Sequence, residues 1–187
     1  MARVRGKVAD RRVLALLDAF LTDAVLDTMT SWTPEQGTPQ GAVISPLLSN
    51  IYLDSLDHVL ETQQIEMVRY ADDIVVLCRS EAEAHAALAL LQTWTTTAAL
   101  RLHPEKTRIV DATQRGGFDF LGYHFERGYR WPRTKSLRKF KDTLRTHTRR
   151  TNGTSLAAIV ATLNPVLRGW FAYFRHSHGT TFRPLDQ

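Results

Sequence analysis

Cysteine is nearly absent from these 187 residues: Cys78 stands alone, which excludes an internal disulfide and a cysteine zinc site. The default compartment for such a chain is a reducing cytosol, so a cytoplasmic location is expected. No apolar run reaches the length of a membrane span, and the basic amino terminus is followed by no apolar signal-peptide core. No membrane partner is therefore expected. His85, His103, His147, His176 and His178 fall into no metal-ligand grouping, and neither an internal repeat nor a low-complexity tract is present. What the chain does have is apolar character, 43% hydrophobic, enough to bury a core and to exclude wholesale disorder. Its length suits one medium domain or a domain with an appendage.

Charge is unevenly distributed. Residues 127–187 carry 13 lysines and arginines against Asp142 and Asp186, a net +11, whereas residues 1–126 carry 11 against 17 acidic residues, a net −6. An acidic half followed by a strongly basic half suits an enzyme that grips polyphosphate with its second part, although a solvated charged tail has the same composition.

Residues 11–26 place apolar side chains at 13, 14, 16, 17, 20, 21, 24 and 25, which predicts an amphipathic helix capped by Asp10. A turn-rich stretch, Thr30 to Gly41, follows. Ser45-Pro46 then supplies a cap and a first-turn proline for a helix running to about Glu61. Ser80 with Glu83 three residues on is a capping-box pattern, opening a helix to about Leu100. Thr107–Val110 and Phe118–Phe125 read as strands broken at Gly116-Gly117. Beyond Pro132 the chain turns helical and basic. Leu137, Phe140 and Leu144 form an apolar stripe beside Arg138, Lys141, Arg145 and Arg149. Asn152-Gly153 should end that helix, Thr154–Leu163 should form a second, and Asn164-Pro165 should open a third. The fold class expected is α+β, with a boundary near residues 127–133.

The most informative segment is Met67-Val68-Arg69-Tyr70-Ala71-Asp72-Asp73-Ile74-Val75-Val76-Leu77. Two adjacent carboxylates cannot lie inside a buried strand without water, donors or a cation. The apolar, β-branched flanks predict a hairpin with Asp72 and Asp73 at its turn. Adjacent anions repel unless a divalent ion neutralises them, and magnesium takes a few carboxylates plus water and substrate phosphates. That is the chemistry of phosphoryl transfer. Alone, an acidic hairpin is commonly just solvated.

The neighbouring motifs sharpen the reading. Upstream lies Gln36-Gly37-Thr38-Pro39-Gln40-Gly41-Ala42, running into Ser45-Pro46-Leu47-Leu48-Ser49-Asn50. Downstream lie Leu102-His103-Pro104-Glu105-Lys106-Thr107, then Gly117-Phe118-Asp119-Phe120-Leu121-Gly122-Tyr123, then Leu163-Asn164-Pro165-Val166-Leu167-Arg168-Gly169-Trp170. In this order the segments closely resemble the reverse transcriptases encoded by bacterial group II introns, from about residue 3 to 178.

The resemblance implies a partial polymerase palm over residues 1–128, an antiparallel sheet with helices on one face, then a helical thumb or maturase region over 129–187. It implies RNA-directed DNA synthesis with magnesium ions at Asp72 and the weaker ligand Asp73, on an RNA template or intron RNA with a DNA primer and dNTP. Pro39, Gln40, Gly41, Tyr70 and Ala71 then line the nucleotide and template, although Ala42 stands where the family pattern has a second glycine. Lys106 takes the place of a nucleotide-side catalytic lysine, with simple exposure as its alternative. Phe120, Leu121 and Gly122 match the primer grip, or pack the core. Arg138, Lys139, Lys141, Arg145, Arg149, Arg150 and Arg168 are the expected RNA contacts, while Trp131, Trp170, Phe171, Tyr173 and Phe174 are read mainly as helix packing.

The family's metal cage needs a further carboxylate on an earlier strand. Asp18-Ala19-Phe20-Leu21-Thr22-Asp23 is a poor substitute, lying in a helix-period pattern only 22 residues before Gln40. The expectation is therefore a palm-and-thumb fragment lacking fingers, its two-metal site incomplete and its polymerase activity low unless a separate amino-terminal fragment completes it. A non-catalytic RNA-binding splicing factor and a non-functional truncated relic are the alternatives.

Overall fold

A computed structural model describes residues 1–22, 25–27, 30–32, 44–183 and 185. The chain forms a mixture of helices and small antiparallel sheets, as the α+β expectation requires. It divides into two compact units, Met1–Thr107 and Arg108–Gln187. The expected boundary at residue 128 falls instead in the turn between two paired strands of the second unit.

The first unit contains α1 (Ala2–Arg5), α2 (Arg11–Thr22), a short pair β1 (Val25–Asp27) and β2 (Thr30–Trp32), α3 (Ser45–Thr62), β3 (Glu66–Tyr70), β4 (Asp73–Leu77) and α4 (Glu81–Thr97). Asp10 caps α2 as its sequence position implies, its Oδ1 accepting from the Arg12 N–H at 2.7 Å. The helix stops short of the expected residue 26, because residues 25–27 pair with β2 instead. Helix α3 starts one residue earlier than expected, with Ile44 at the cap and Pro46 inside the first turn, where its missing N–H costs nothing. Ser80 Oγ accepts from Glu83 N–H at 3.2 Å, and Glu83 reaches back to the Arg79 N–H at 2.6 Å, closing a capping box shifted by one residue.

Leu53, Leu56 and Leu60 of α3 lie three and four residues apart and are buried, Leu60 completely, with Ala87, Thr95 and Ala98 at and beyond α4. The amino-terminal segment is clasped onto α3. The Arg3 guanidinium lies 4.1 Å over the Tyr52 ring and donates to Ser55 Oγ at 2.8 Å, and Lys7 pairs with Asp54 at 2.8 Å. That ion pair, above all its hydrogen bond, holds the Asp54 carboxyl below the usual carboxylate range.

The second unit is a three-stranded meander, β5 (Phe118–Phe120), β6 (Tyr123–Glu126) and β7 (Tyr129–Pro132), followed by α5 (Thr134–His147) and α6 (Leu156–Phe174). The single strand expected over 118–125 is thus a hairpin, because Leu121 (φ 47°) and Gly122 (φ 82°) both adopt the left-handed region that a two-residue turn demands. Thr107–Val110 is not a strand. No partner strand lies beside it among the described residues, and Thr107 N–H closes a turn on His103 O at 2.9 Å.

Leu137, Phe140 and Leu144 form the inward stripe of α5 as the periodicity predicts, and Phe140 stacks on Trp170 of α6 at 4.2 Å between ring centroids. The two helices expected on either side of Asn164-Pro165 are one helix, α6, with Pro165 inside it. Ser155 caps its start, accepting from Ala158 N–H at 3.3 Å. The half-buried or buried residues Ile159, Leu163, Val166, Trp170 and Phe174 continue one stripe straight through the proline. Packing along that stripe offsets the one hydrogen bond that proline removes.

Candidate functional site

Strands β3 and β4 pair in register from Glu66↔Leu77 to Tyr70↔Asp73, leaving only Ala71 and Asp72 as the loop. Ala71 takes φ 54°, the positive value that such tight hairpins require at a loop position. Asp72 therefore stands at the tip and Asp73 opens the returning strand. Both are exposed, and neither side chain has a hydrogen-bond or ion-pair partner among the described residues. By strand alternation Asp73 shares a face with Tyr70, which is 65% exposed, while the opposite face carries Met67, Arg69, Ile74 and Val76.

Arg69 is the residue that sequence reading missed. Its Nε and Nη2 form a fork on the two oxygens of Asp57 in α3, at 2.8 and 2.5 Å, and Nη1 donates to Asn50 Oδ1 at 2.9 Å and to the Ala71 carbonyl at 3.0 Å. One guanidinium thus ties the loop residue preceding Asp72 to the helix beneath it. Its side chain is only 11% exposed, and the hydrogen bond to Asp57 raises its pKa further. The available signal was positional: a cation two residues before an acidic turn, on the inward face of a strand, needs a buried anion.

Oxygen ligands on a protruding loop, free of internal partners, suit a hard cation such as magnesium. Among the described residues no group of three or more potential metal ligands assembles. Asp72 and Asp73 thus stand as two adjacent exposed carboxylates at the tip of the hairpin, with no cluster of three formed around them among the described residues.

The other expected site residues are not all gathered here. Pro39, Gln40 and Gly41 lie outside the described residues. Lys106 ends the exposed turn Pro104–Lys106 of the first unit and is not at a strand start. Phe120, Leu121 and Gly122 belong to the second unit, where Tyr173 Oη donates to the Leu121 carbonyl at 2.7 Å and Arg133 N–H to the Gly122 carbonyl at 2.9 Å. A Cβ on Gly122 would meet Ser136 Oγ at 3.4 Å, so this turn is closely packed.

Arg138, Lys139 and Arg145 are exposed on α5, with Lys141 half-buried and Arg145 paired to Asp142 at 3.1 Å. Lys135, Arg138, Lys139 and Asp142 line an open groove of about 560 Å³ along this helix. Arg149 and Arg150 lie past the end of α5, so Arg149 does not extend its face, and Arg168 is exposed on α6. Trp170 and Phe174 pack between elements as expected, but Trp131 does not. It stands on the face of the meander away from Tyr123, the residue that contacts α6.

Comparison with known proteins gives these features a family. The model of the reverse transcriptase (RNA-dependent DNA polymerase) family matches residues 11–125, and that of the group II intron maturase-specific domain matches residues 137–187. Protein YkfC of Escherichia coli is 27% identical over 68% of this chain and 42% of its own length. Nuclear intron maturase 2, mitochondrial, of Arabidopsis thaliana is 29% identical over 74% of this chain and 19% of its own. The group II intron-encoded protein LtrA of Lactococcus lactis is 41% identical over 27% of this chain and 8% of its own. The chain thus spans less than half the length of the curated relatives it matches. It belongs to the reverse transcriptase (RNA-dependent DNA polymerase) family and carries a group II intron maturase-specific domain.

Proposed function

We propose that this chain contributes the acidic turn and the nucleic-acid grip of an RNA-directed DNA polymerase with intron maturase character. The observation that carries the reading is the pair Asp72–Asp73: two exposed carboxylates at the tip of a tight hairpin, without partners among the described residues, in a chain of this family. Asp72 is the principal magnesium ligand and Asp73 the weaker one. Magnesium bound there would activate a primer 3′-hydroxyl and steady the leaving pyrophosphate. Arg69 holds the turn in place. The acidic hairpin serves in the palm and helices α5 and α6 in the thumb, with Pro39, Gln40, Gly41, Tyr70 and Ala71 beside the incoming dNTP and template. Lys106 neutralises the pyrophosphate, and Phe120, Leu121 and Gly122 support the primer. The basic side chains of α5, with Arg149, Arg150 and Arg168, contact the phosphates of template or intron RNA. The unpaired Cys78 suits a reducing, cytoplasmic setting.

Two carboxylates are too few for a two-metal centre and no third gathers with them among the described residues, so polymerisation needs a further carboxylate from another segment, in the same or a separate polypeptide. Primer extension on an RNA template with magnesium tests this. The chain is assayed alone and with an added palm segment bearing that carboxylate, each against Asp72→Ala and Asp73→Ala. Extension only with the added segment, lost in both variants, is expected. Extension by the chain alone would overturn the incomplete-site reading, and extension insensitive to Asp72 and Asp73 would overturn the assignment of the turn.

A second reading, RNA binding in splicing without polymerisation, is favoured by the maturase-specific match and the basic helix α5. It predicts salt-sensitive binding to structured RNA with no extension in any of these combinations.

A further inference from the structure

The meander of the second unit has two unlike faces. Phe118, Phe120, Tyr123 and Phe125 occupy one, where Tyr123 meets Tyr173 and Phe174 of α6 with ring centroids 5.7 and 4.9 Å apart. By strand alternation the other face carries Asp119, His124, Glu126, Tyr129 and Trp131. Core packing accounts for the first face and leaves the aromatic rings of the second without a role.

Those rings are held as a set. Arg130 Nε donates to the His176 carbonyl at 2.7 Å, and the His178 N–H donates to the Arg130 carbonyl at 2.8 Å, lacing residues 176–178 along β7. The His178 ring is thereby seated edge-on to Tyr129 at 5.0 Å and beside Trp131 at 5.9 Å, and the two aromatics lie 5.9 Å from each other. On the far side of Trp131 the His124 ring lies at 6.5 Å, fixed by Asp119 at 2.8 Å from Nδ1. Tyr129 remains 55% exposed despite these neighbours. The two carboxylates of this face are engaged internally, Asp119 by His124 and Glu126 by the Gly116 N–H at 2.8 Å. Arg108 and Lys135 line the open pocket beside Trp131 and bring positive charge to its rim.

Tyr129 is thus exposed and Trp131 half-buried. Flat rings fixed at a surface and flanked by cations are the means by which proteins hold unpaired bases, the ring stacking on the base and the cation taking the adjoining phosphate. We propose that Tyr129 and Trp131 form a stacking platform for an unpaired nucleotide of RNA, with Arg108 and Lys135 on its phosphates. The platform uses residues other than Asp72, Asp73 and the α5 residues Arg138, Lys141 and Arg145, and it rests on the RNA-binding part of the function proposed above. Its rings would hold bases, whereas Arg138, Lys141 and Arg145 hold backbone charge.

The test compares two fluorescein-labelled single strands of about eight residues. One is oligoadenylate and the other is an abasic ribose-phosphate oligomer of equal length and charge. The 187-residue chain should bind oligoadenylate about tenfold more tightly. Tyr129→Ala, at an exposed position, and Trp131→Ala should erase most of that preference and leave abasic binding unchanged, while Trp131→Phe restores it. Charge reversal at Arg138 and Lys141 should weaken both oligomers alike. Equal affinity for the two oligomers, or equal loss for both in Tyr129→Ala, would overturn the platform while leaving RNA binding intact. Binding of neither oligomer would overturn the RNA-binding reading with it.

Discussion

The turns at Ala71–Asp72 and Leu121–Gly122 are built alike and placed in opposite circumstances. Each joins two antiparallel strands with two residues and begins with a left-handed non-glycine residue. The carbonyls of Leu121 and Gly122 are taken by Tyr173 and Arg133, and atoms of Ser136 and Phe174 close in on Gly122. At the first turn Arg69 clamps the Ala71 carbonyl, and the Asp72 and Asp73 side chains have no partner among the described residues. A motif whose side chains are engaged in packing is explained by packing. One whose charges are left without partners, at the cost of their mutual repulsion, asks for a ligand.

The largest effect expected from breaking this contrast is at the acidic pair itself. Asp72→Ala or Asp73→Ala should lower complemented primer extension by roughly a thousandfold or more, since ligands of one metal site act as a unit. Thermal stability should change little, because neither side chain has a partner to lose among the described residues. At the packed end, Gly117 (φ 36°) is buried, and a Cβ there would overlap the Phe125 carbonyl oxygen. Gly117→Ala should therefore destabilise the meander by about 3 kcal/mol in urea denaturation.

Arg69→Met attacks the clamp between these extremes. It leaves Asp57 without its fork and should cost about 2 kcal/mol, read by the same denaturation. Extension should also fall, with Arg69→Lys recovering stability better than activity, because a lysine cannot grip both Asp57 oxygens and the Ala71 carbonyl together. The smallest effect concerns pH. The Gly116 N–H, above all, holds the Glu126 carboxyl below its usual range, with His124 contributing. A depressed carboxylate stabilises the fold above its unfolded pKa and loses that contribution as pH falls through the folded one. Below about pH 4.3 the second unit should weaken, and Glu126→Gln should flatten that acid limb of the melting curve.

Local signals in the sequence were legible where one residue sets one bond: Asp10 at the start of α2, Ser80 with Glu83 at the start of α4, and the hairpin around Asp72–Asp73. They failed where distant packing decides. Pro165 punctuates the chain, yet the stripe from Ile159 to Phe174 carries the helix through it. Thr107–Val110 is β-like in composition but has no neighbouring strand among the described residues. Of the site, the carboxylates announced themselves by being charged between apolar runs. Arg69 did not, because its partners Asn50 and Asp57 lie 19 and 12 residues away on another element. Trp131 was misjudged as helix packing since strand alternation, set by the unforeseen hairpin, turns it to the other face.

The most direct measurement is a manganese titration of the isotope-labelled 187-residue chain, with paramagnetic broadening followed at backbone amides. Broadening centred on Ala71, Asp72 and Asp73, reversed by excess magnesium and lost in Asp72→Asn and Asp73→Asn, is the result this account predicts. Broadening spread evenly over other exposed carboxylates such as Glu81 and Glu83, or indifferent to those substitutions, would contradict it.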